Sequence, residues 1–159
     1  IRDLSNYDGY KLDWYIGWFL DINFSRYSKI NEYINNSDDY IGSIGNSFYY
    51  YNGYLVIEIY ALTSLCDDFE NIVISTANGI SDDDRELFEL VKKNSLTSLS
   101  VRKDSISNYV RPIEDNYITF DYAEVDDIDV IKNFSYDDYK KVINSIDFSY
   151  YSVFYRKKK

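Results

Sequence analysis

The sequence predicts an α+β fold, a mostly antiparallel, Tyr-rich sheet covered by two to four helices. Three observations carry that expectation. Asn52-Gly53 stands between two β-rich runs, Ser47–Tyr51 and Tyr54–Leu62. Short segments around residues 71–77, 96–103, 117–122 and 148–155 are β-branched or alternate apolar with polar side chains. Stretches of helical period lie before and between them.

The hairpin is the firmest of these elements. Asn-Gly tolerates the positive φ angles that a type I′ turn needs at both centres, and that turn matches the twist of the flanking strands. A two-residue loop sets the register, with Tyr51 opposite Tyr54, Tyr50 opposite Leu55, Tyr49 opposite Val56 and Phe48 opposite Ile57. One face then carries Phe48, Tyr50, Leu55, Ile57 and Ile59 and belongs in a core. The other carries Tyr49, Tyr51, Tyr54, Val56, Glu58 and Tyr60, a single carboxylate among tyrosines. A slip of one residue would exchange the faces.

Taken in order, residues 1–10 read as a leading loop. From Lys11, Leu12, Tyr15, Ile16, Phe19 and Leu20 share a helical face, with Asp13 and Gly17 off it. A second helix is expected from Ser25, presenting Tyr27, Ile30, Tyr33 and Ile34, and residues 40–46 lead into the hairpin. Asn71–Ala77 reads as a strand by its β-branched content. Ser81 is a good helix N-cap, and Asp82-Asp83-Asp84 suit the positive end of the helix that follows, whose buried stripe is Leu87, Leu90 and Val91 with Phe88 beside it. Residues 96–103 and 117–122 alternate as strands, and Arg111-Pro112 marks a loop or strand start between them. Ser135 opens a helix with the face Tyr139, Val142, Ile143 and Ile146, and Phe148–Tyr155 alternates as a last strand. The division is one globular domain, 1–155, with a basic tail, 156–159.

Composition removes whole classes of chemistry. The chain has 159 residues, no histidine and one cysteine, Cys66. Without histidine there is no Ser-His-Asp or Cys-His triad and no His-containing zinc site. A single cysteine cannot form an internal disulfide, a thiolate zinc site or a CxxC redox pair, which suits a reducing cytoplasmic compartment with Cys66 as a small buried hydrophobe. The six glycines have neither dinucleotide-binding nor P-loop spacing. No apolar run reaches the length of a membrane span. No cofactor and no metal site are expected, and neither is enzymatic activity. The cluster Glu124-Val125-Asp126-Asp127-Ile128-Asp129 lacks the turn glycine and terminal glutamate of a calcium loop. The wealth of Tyr, Asn, Ile, Lys, Asp and Ser reflects AT-rich codons before it reflects function.

Charge is more informative. The net charge is −10, and the tail Arg156-Lys157-Lys158-Lys159 carries +4, so the remainder is −14. Residues 114–138 hold nine acids against Lys132 alone. Such a field repels nucleic acid and anionic membranes and steers a basic protein inward. The candidate binding residues are therefore Glu114, Asp115, Tyr117, Asp121, Tyr122, Glu124, Asp126, Asp127 and Asp129, together with the hairpin residues Tyr49, Tyr51, Tyr54 and Glu58.

In size, charge and character these features resemble the bacterial immunity proteins of contact-dependent inhibition and other polymorphic toxin systems. The resemblance rests on the acids of 114–129 with Tyr117 and Tyr122, and on the Tyr-rich hairpin face, and on no motif. It implies a cytoplasmic, non-enzymatic inhibitor that blocks a basic cognate toxin, a nuclease above all, because nuclease sites are cationic to hold phosphate. Its oligomeric state is open. The alternative is a phage or host-interaction binding module from a low-GC genome, in which acidity serves solubility.

Overall fold

Tyr7–Phe24 forms helix α1, and it is the axis of the molecule. In the computed structural model, which describes residues 7–25, 28–30, 41–63, 66–78, 80–102, 106–122 and 127–154, α1 is apolar around most of its girth. Tyr10, Leu12, Tyr15, Ile16, Trp18, Phe19, Leu20, Ile22 and Phe24 are all buried. A helix apolar on nearly every side is a core helix, and the other elements wrap it. The expected face from Leu12 to Leu20 is there, extended by residues that the same spacing left outside.

The hairpin is β1 (Ile41–Tyr51) and β2 (Tyr54–Thr63), a two-stranded antiparallel sheet. Its register is the expected one, Tyr51 with Tyr54 through Phe48 with Ile57, and it continues to Ile44 with Ala61. Asn52 and Gly53 have φ of 49° and 80°, as a type I′ turn requires. Ile44, Phe48, Tyr50, Leu55, Ile57, Ile59 and Ala61 pack against the core. The Asn46 side chain donates to the Phe24 carbonyl at 3.0 Å, which ties β1 to the end of α1.

Beyond the hairpin the chain is helical: α2 (Cys66–Ala77), a 3₁₀ turn (Asp82–Asp84) running into α3 (Arg85–Arg102), α4 (Ile106–Phe120), α5 (Asp127–Lys132) and α6 (Tyr136–Ile143). The fold is thus α+β but helix-rich, and the mostly-sheet expectation is corrected at four places. Residues 71–77 belong to α2, because Phe69, Ile72, Val73 and Ala77 supply a helical stripe to the core that outweighs their neighbours' β-branched preference. Residues 96–102 continue α3. There the hydroxyls of Ser95, Thr97 and Ser100 donate to the carbonyls four residues back at 2.9–3.0 Å, so polar side chains are satisfied within the helix itself. Residues 117–120 are the last turn of α4, and Pro112 lies inside that helix rather than in a loop. Residues 150–154 form no strand. A period-two pattern makes a strand only if a neighbour is free to pair with it, and helices occupy the surroundings of α1.

Other expectations are met. The Asp84 carboxylate accepts from the Ser81 backbone N–H at 3.1 Å, closing one half of a capping box. Ser135 caps α6 by accepting from Asp138 N at 3.2 Å. Tyr139 and Ile143 are buried and Val142 and Ile146 pack beside them. Of the helix expected after Ser25, residues 29–30 are helical and 26–27 and 31–34 lie outside the described residues. The side chain of Cys66 and the tail 156–159 also lie outside them.

An aromatic cluster joins the layers. Trp18 of α1 meets Phe88 of α3 edge-on at 5.3 Å, and Phe88 lies 5.1 Å from Tyr139 of α6, which returns to Tyr15 of α1 at 5.6 Å. The first and last of these are edge-to-face and the second is tilted, and such aromatic pairs add to area burial and fix orientation.

Candidate protein-binding surface

The hairpin's outer face is exposed. Tyr49, Tyr51, Tyr54 and Tyr60 are 44%, 63%, 72% and 60% accessible, more than scattered surface tyrosines require. Glu58 sits among them and accepts from Ser47 Oγ at 3.1 Å and from Tyr49 Oη at 3.2 Å. Partial desolvation and the nearby Glu58 carboxylate both push the Tyr49 hydroxyl above its ordinary range. The ring of Tyr60 lies across Gly45, where a β-carbon would come within 2.2 Å of it. Glycine is therefore what lets that ring lie flat on the sheet.

The acids divide into two groups. One group ties elements together. Lys29 meets the buried Asp84 at 2.6 Å, Lys11 of α1 meets Asp138 of α6 at 2.9 Å, Lys140 meets Asp82 at 2.6 Å and Arg85 meets Asp137 at 2.8 Å. Lys11 and Lys140 hold the carboxyls of Asp138 and Asp82 below the usual range.

The second group is on α4. Glu114, Asp115 and Asp121 are exposed and make no ion pair among the described residues. With Val110, Tyr117 and Ile118 they follow the three-and-four spacing of a helix surface, and those apolar residues are 41%, 58% and 80% accessible. Asp121 ends the helix in the left-handed region, φ 51°, with its N–H donating to the Tyr117 carbonyl at 2.9 Å.

The remaining candidates are placed differently. Tyr122 is half-buried, its ring 5.4 Å from Tyr10, so it belongs to the packing and not to a free surface. Asp127 is half-buried and accepts from the Tyr10 hydroxyl at 2.5 Å, and Asp129 pairs with Lys132 at 2.9 Å. Asp127 is thus held in a part-buried contact with α1, whereas Asp129 stays exposed beside its lysine. Glu124 and Asp126 lie outside the described residues.

Two carboxylates of α1 stand outside the candidate binding residues. Asp13 and Asp21 flank Gly17 at helical spacing on α1, and a β-carbon added to Gly17 would meet nothing within 4 Å. Burial against the hairpin pushes the Asp13 carboxyl up to about 6, with the Tyr50 hydroxyl pulling the other way. Partial desolvation also raises Asp21. Asp21 lines a groove of about 450 Å³ between α1 and α3, with Trp14, Leu87, Leu90, Leu99 and Arg102. The signal was present as Asp13, Gly17 and Asp21, spaced four residues apart along a helix rich in apolar side chains.

Among the described residues no cluster of three or more His, Cys, Asp or Glu side chains is arranged to hold a metal ion, and no helix is long and apolar enough to cross a membrane. Comparison with protein-family models, curated proteins and solved structures finds no match.

Proposed function

We propose that this chain is an acidic, non-enzymatic inhibitor that docks on a basic protein, in the manner of an immunity protein on its toxin, in the cytoplasm. The observation that carries the reading is the outer surface of α4. There Glu114, Asp115 and Asp121 stand without cationic partners among the described residues, around exposed Val110, Tyr117 and Ile118. Apolar and aromatic residues ringed by unpaired charge supply affinity and steering together. The tyrosines of the hairpin form a second anchoring surface. A nuclease is the favoured partner, because carboxylates spaced along a helix present the negative charge that its phosphate-binding cations are built to meet.

The test uses the basic protein encoded beside this gene. Association should be fast at low salt and slow steeply as salt rises. Neutralising three acids together (Glu114→Gln, Asp115→Asn, Asp121→Asn) should slow association about tenfold while dissociation changes little. An unchanged association rate would remove the electrostatic basis of the proposal and leave the alternative, a binding module whose acidity serves solubility.

A second reading draws on the α1–α3 groove, where a carboxylate of raised pKa lines a concavity of mixed apolar and polar side chains, a combination found at ligand-binding and catalytic sites. Asp21→Asn, with the fold intact, should leave partner binding untouched and abolish any activity or small-molecule affinity housed there.

A further inference from the structure

We propose that the outer face of the hairpin is a receptor for one arginine side chain of a basic protein, its guanidinium stacked on the ring of Tyr60 and its N–H edge turned to the Glu58 carboxylate. The inference rests on the reading of this chain as a binder of a basic protein, and it names the group that the hairpin surface takes.

The pairing of β1 with β2 sets the geometry. Glu58 is opposite Ser47 and Tyr60 is opposite Gly45, so the four residues fill two successive rows of the outer face. Same-face neighbours along a strand are about 7 Å apart, which places the carboxylate one step from the ring. The carboxylate is already oriented. Its Oε2 accepts from Ser47 Oγ at 3.1 Å and its Oε1 from Tyr49 Oη at 3.2 Å. Each carboxylate oxygen has two acceptor positions, so one hydroxyl on each leaves one open on each, as a bidentate donor requires. Glu58 is exposed, and no lysine or arginine among the described residues pairs with it. Residues 41–63 hold no base at all.

Tyr60 supplies the platform. Its ring lies over Gly45, and the residue remains 60% accessible, so the ring's outer face is open to a ligand. Arginine meets both requirements at once. A guanidinium is planar, and it can cover an aromatic face while its in-plane N–H groups reach a carboxylate beside the ring. A lysine ammonium is a compact, strongly hydrated point charge with no plane to lay on the ring. An exposed ion pair alone contributes little, so selectivity comes from the ring and the pre-set carboxylate acting together.

Titration of the full chain with N-acetyl-arginine methylamide, against N-acetyl-lysine methylamide at matched ionic strength, tests the site without the partner. The readout is the ring resonances of Tyr49 and Tyr60 in NMR spectra. A saturable shift is expected, with affinity about threefold or more higher for the arginine probe. Glu58→Gln keeps the shape and removes the charge, and should cut that affinity about threefold or more. Gly45→Ala alters no contacting group, but its β-carbon would come within 2.2 Å of the Tyr60 ring, the far end of a side chain that can swing aside. It should weaken the probe similarly with far-UV circular dichroism unchanged, whereas Tyr60→Phe, which keeps the ring, should bind as the parent does. The α4 variant carrying Glu114→Gln, Asp115→Asn and Asp121→Asn should also bind the probe as the parent does. Probe binding without any binding of the basic protein encoded beside this gene would count against the inhibitor reading and not against the receptor. No saturable shift, equal affinity for the two probes, or indifference to Glu58→Gln would overturn the inference.

Discussion

Replacing Asp13 with asparagine should make the protein more stable at neutral pH and less so, relative to the parent, in acid. The carboxyl of Asp13 is raised from 3.8 to about 6 because folding packs it between α1 and the hairpin. A raised carboxyl binds its proton more tightly in the folded chain. Stability from this group is therefore complete below the unfolded value and is lost as pH rises through the folded one, between about 4 and about 6. Two pH units correspond to a ceiling of about 3 kcal/mol, and half-burial lets solvent screen part of it, so about 1–2 kcal/mol is the working figure. Asparagine keeps the shape and an acceptor for the Tyr50 hydroxyl without the charge. Urea unfolding followed by the fluorescence of Trp14 and Trp18, at about pH 4.5 and about pH 8, reads the difference directly. Asp21 titrates in the same direction and stays in both proteins, so it cancels in the comparison. Asp138, Asp82 and Asp147 are shifted downward, so their contributions are lost only below the ordinary carboxylate range, outside this window. An Asp13→Asn variant that gains nothing at the higher pH, or gains equally at both, would refute the reasoning.

Three further substitutions probe the framework. Gly17→Ala should stabilise by about 0.5–1 kcal/mol in thermal or urea unfolding, since the added methyl meets nothing and the helix loses a flexible residue. Asn52→Ala should cost about 1 kcal/mol, because φ of 49° places a β-carbon where alanine is disfavoured and asparagine is tolerated. Lys29→Ala should cost about 3–5 kcal/mol by chemical denaturation, since the Asp84 side chain is 3% exposed and would lose its cation. A loss under about 1 kcal/mol there would mean that the pair is not integral to the start of α3.

What could be read from residues alone followed the range of the interaction concerned. The I′ turn with its register, and the caps at Ser81 and Ser135, depend on residues within a few positions of one another. All appear as expected. The strand readings at 71–77, 96–103, 117–122 and 148–155 failed for the opposite reason. Those at 71–77 and 96–102 rested on side-chain branching or alternation, which helix packing overrides when i, i+3, i+4 contacts reach the core; 117–120 close an exposed helix, and 150–154 form neither helix nor strand. Leu99 on α3 is an example, buried within the half of the helix that alternates.

The candidate site divides along the same line. Which residues are acidic or aromatic, and that no imidazole is available for catalysis, are matters of composition, and the sequence settles them without a fold. Whether an acid is free to meet a partner is not. Asp127 and Tyr122 are claimed by Tyr10, more than a hundred positions away, while Glu114 and Asp115, a few residues upstream, face solvent. The burial of Asp13 likewise depends on a hairpin some thirty positions on. Local backbone preference and total charge travel with the chain itself; exposure, pairing and proton affinity are set by what distant segments bring alongside, so only the assembled tertiary structure decides them.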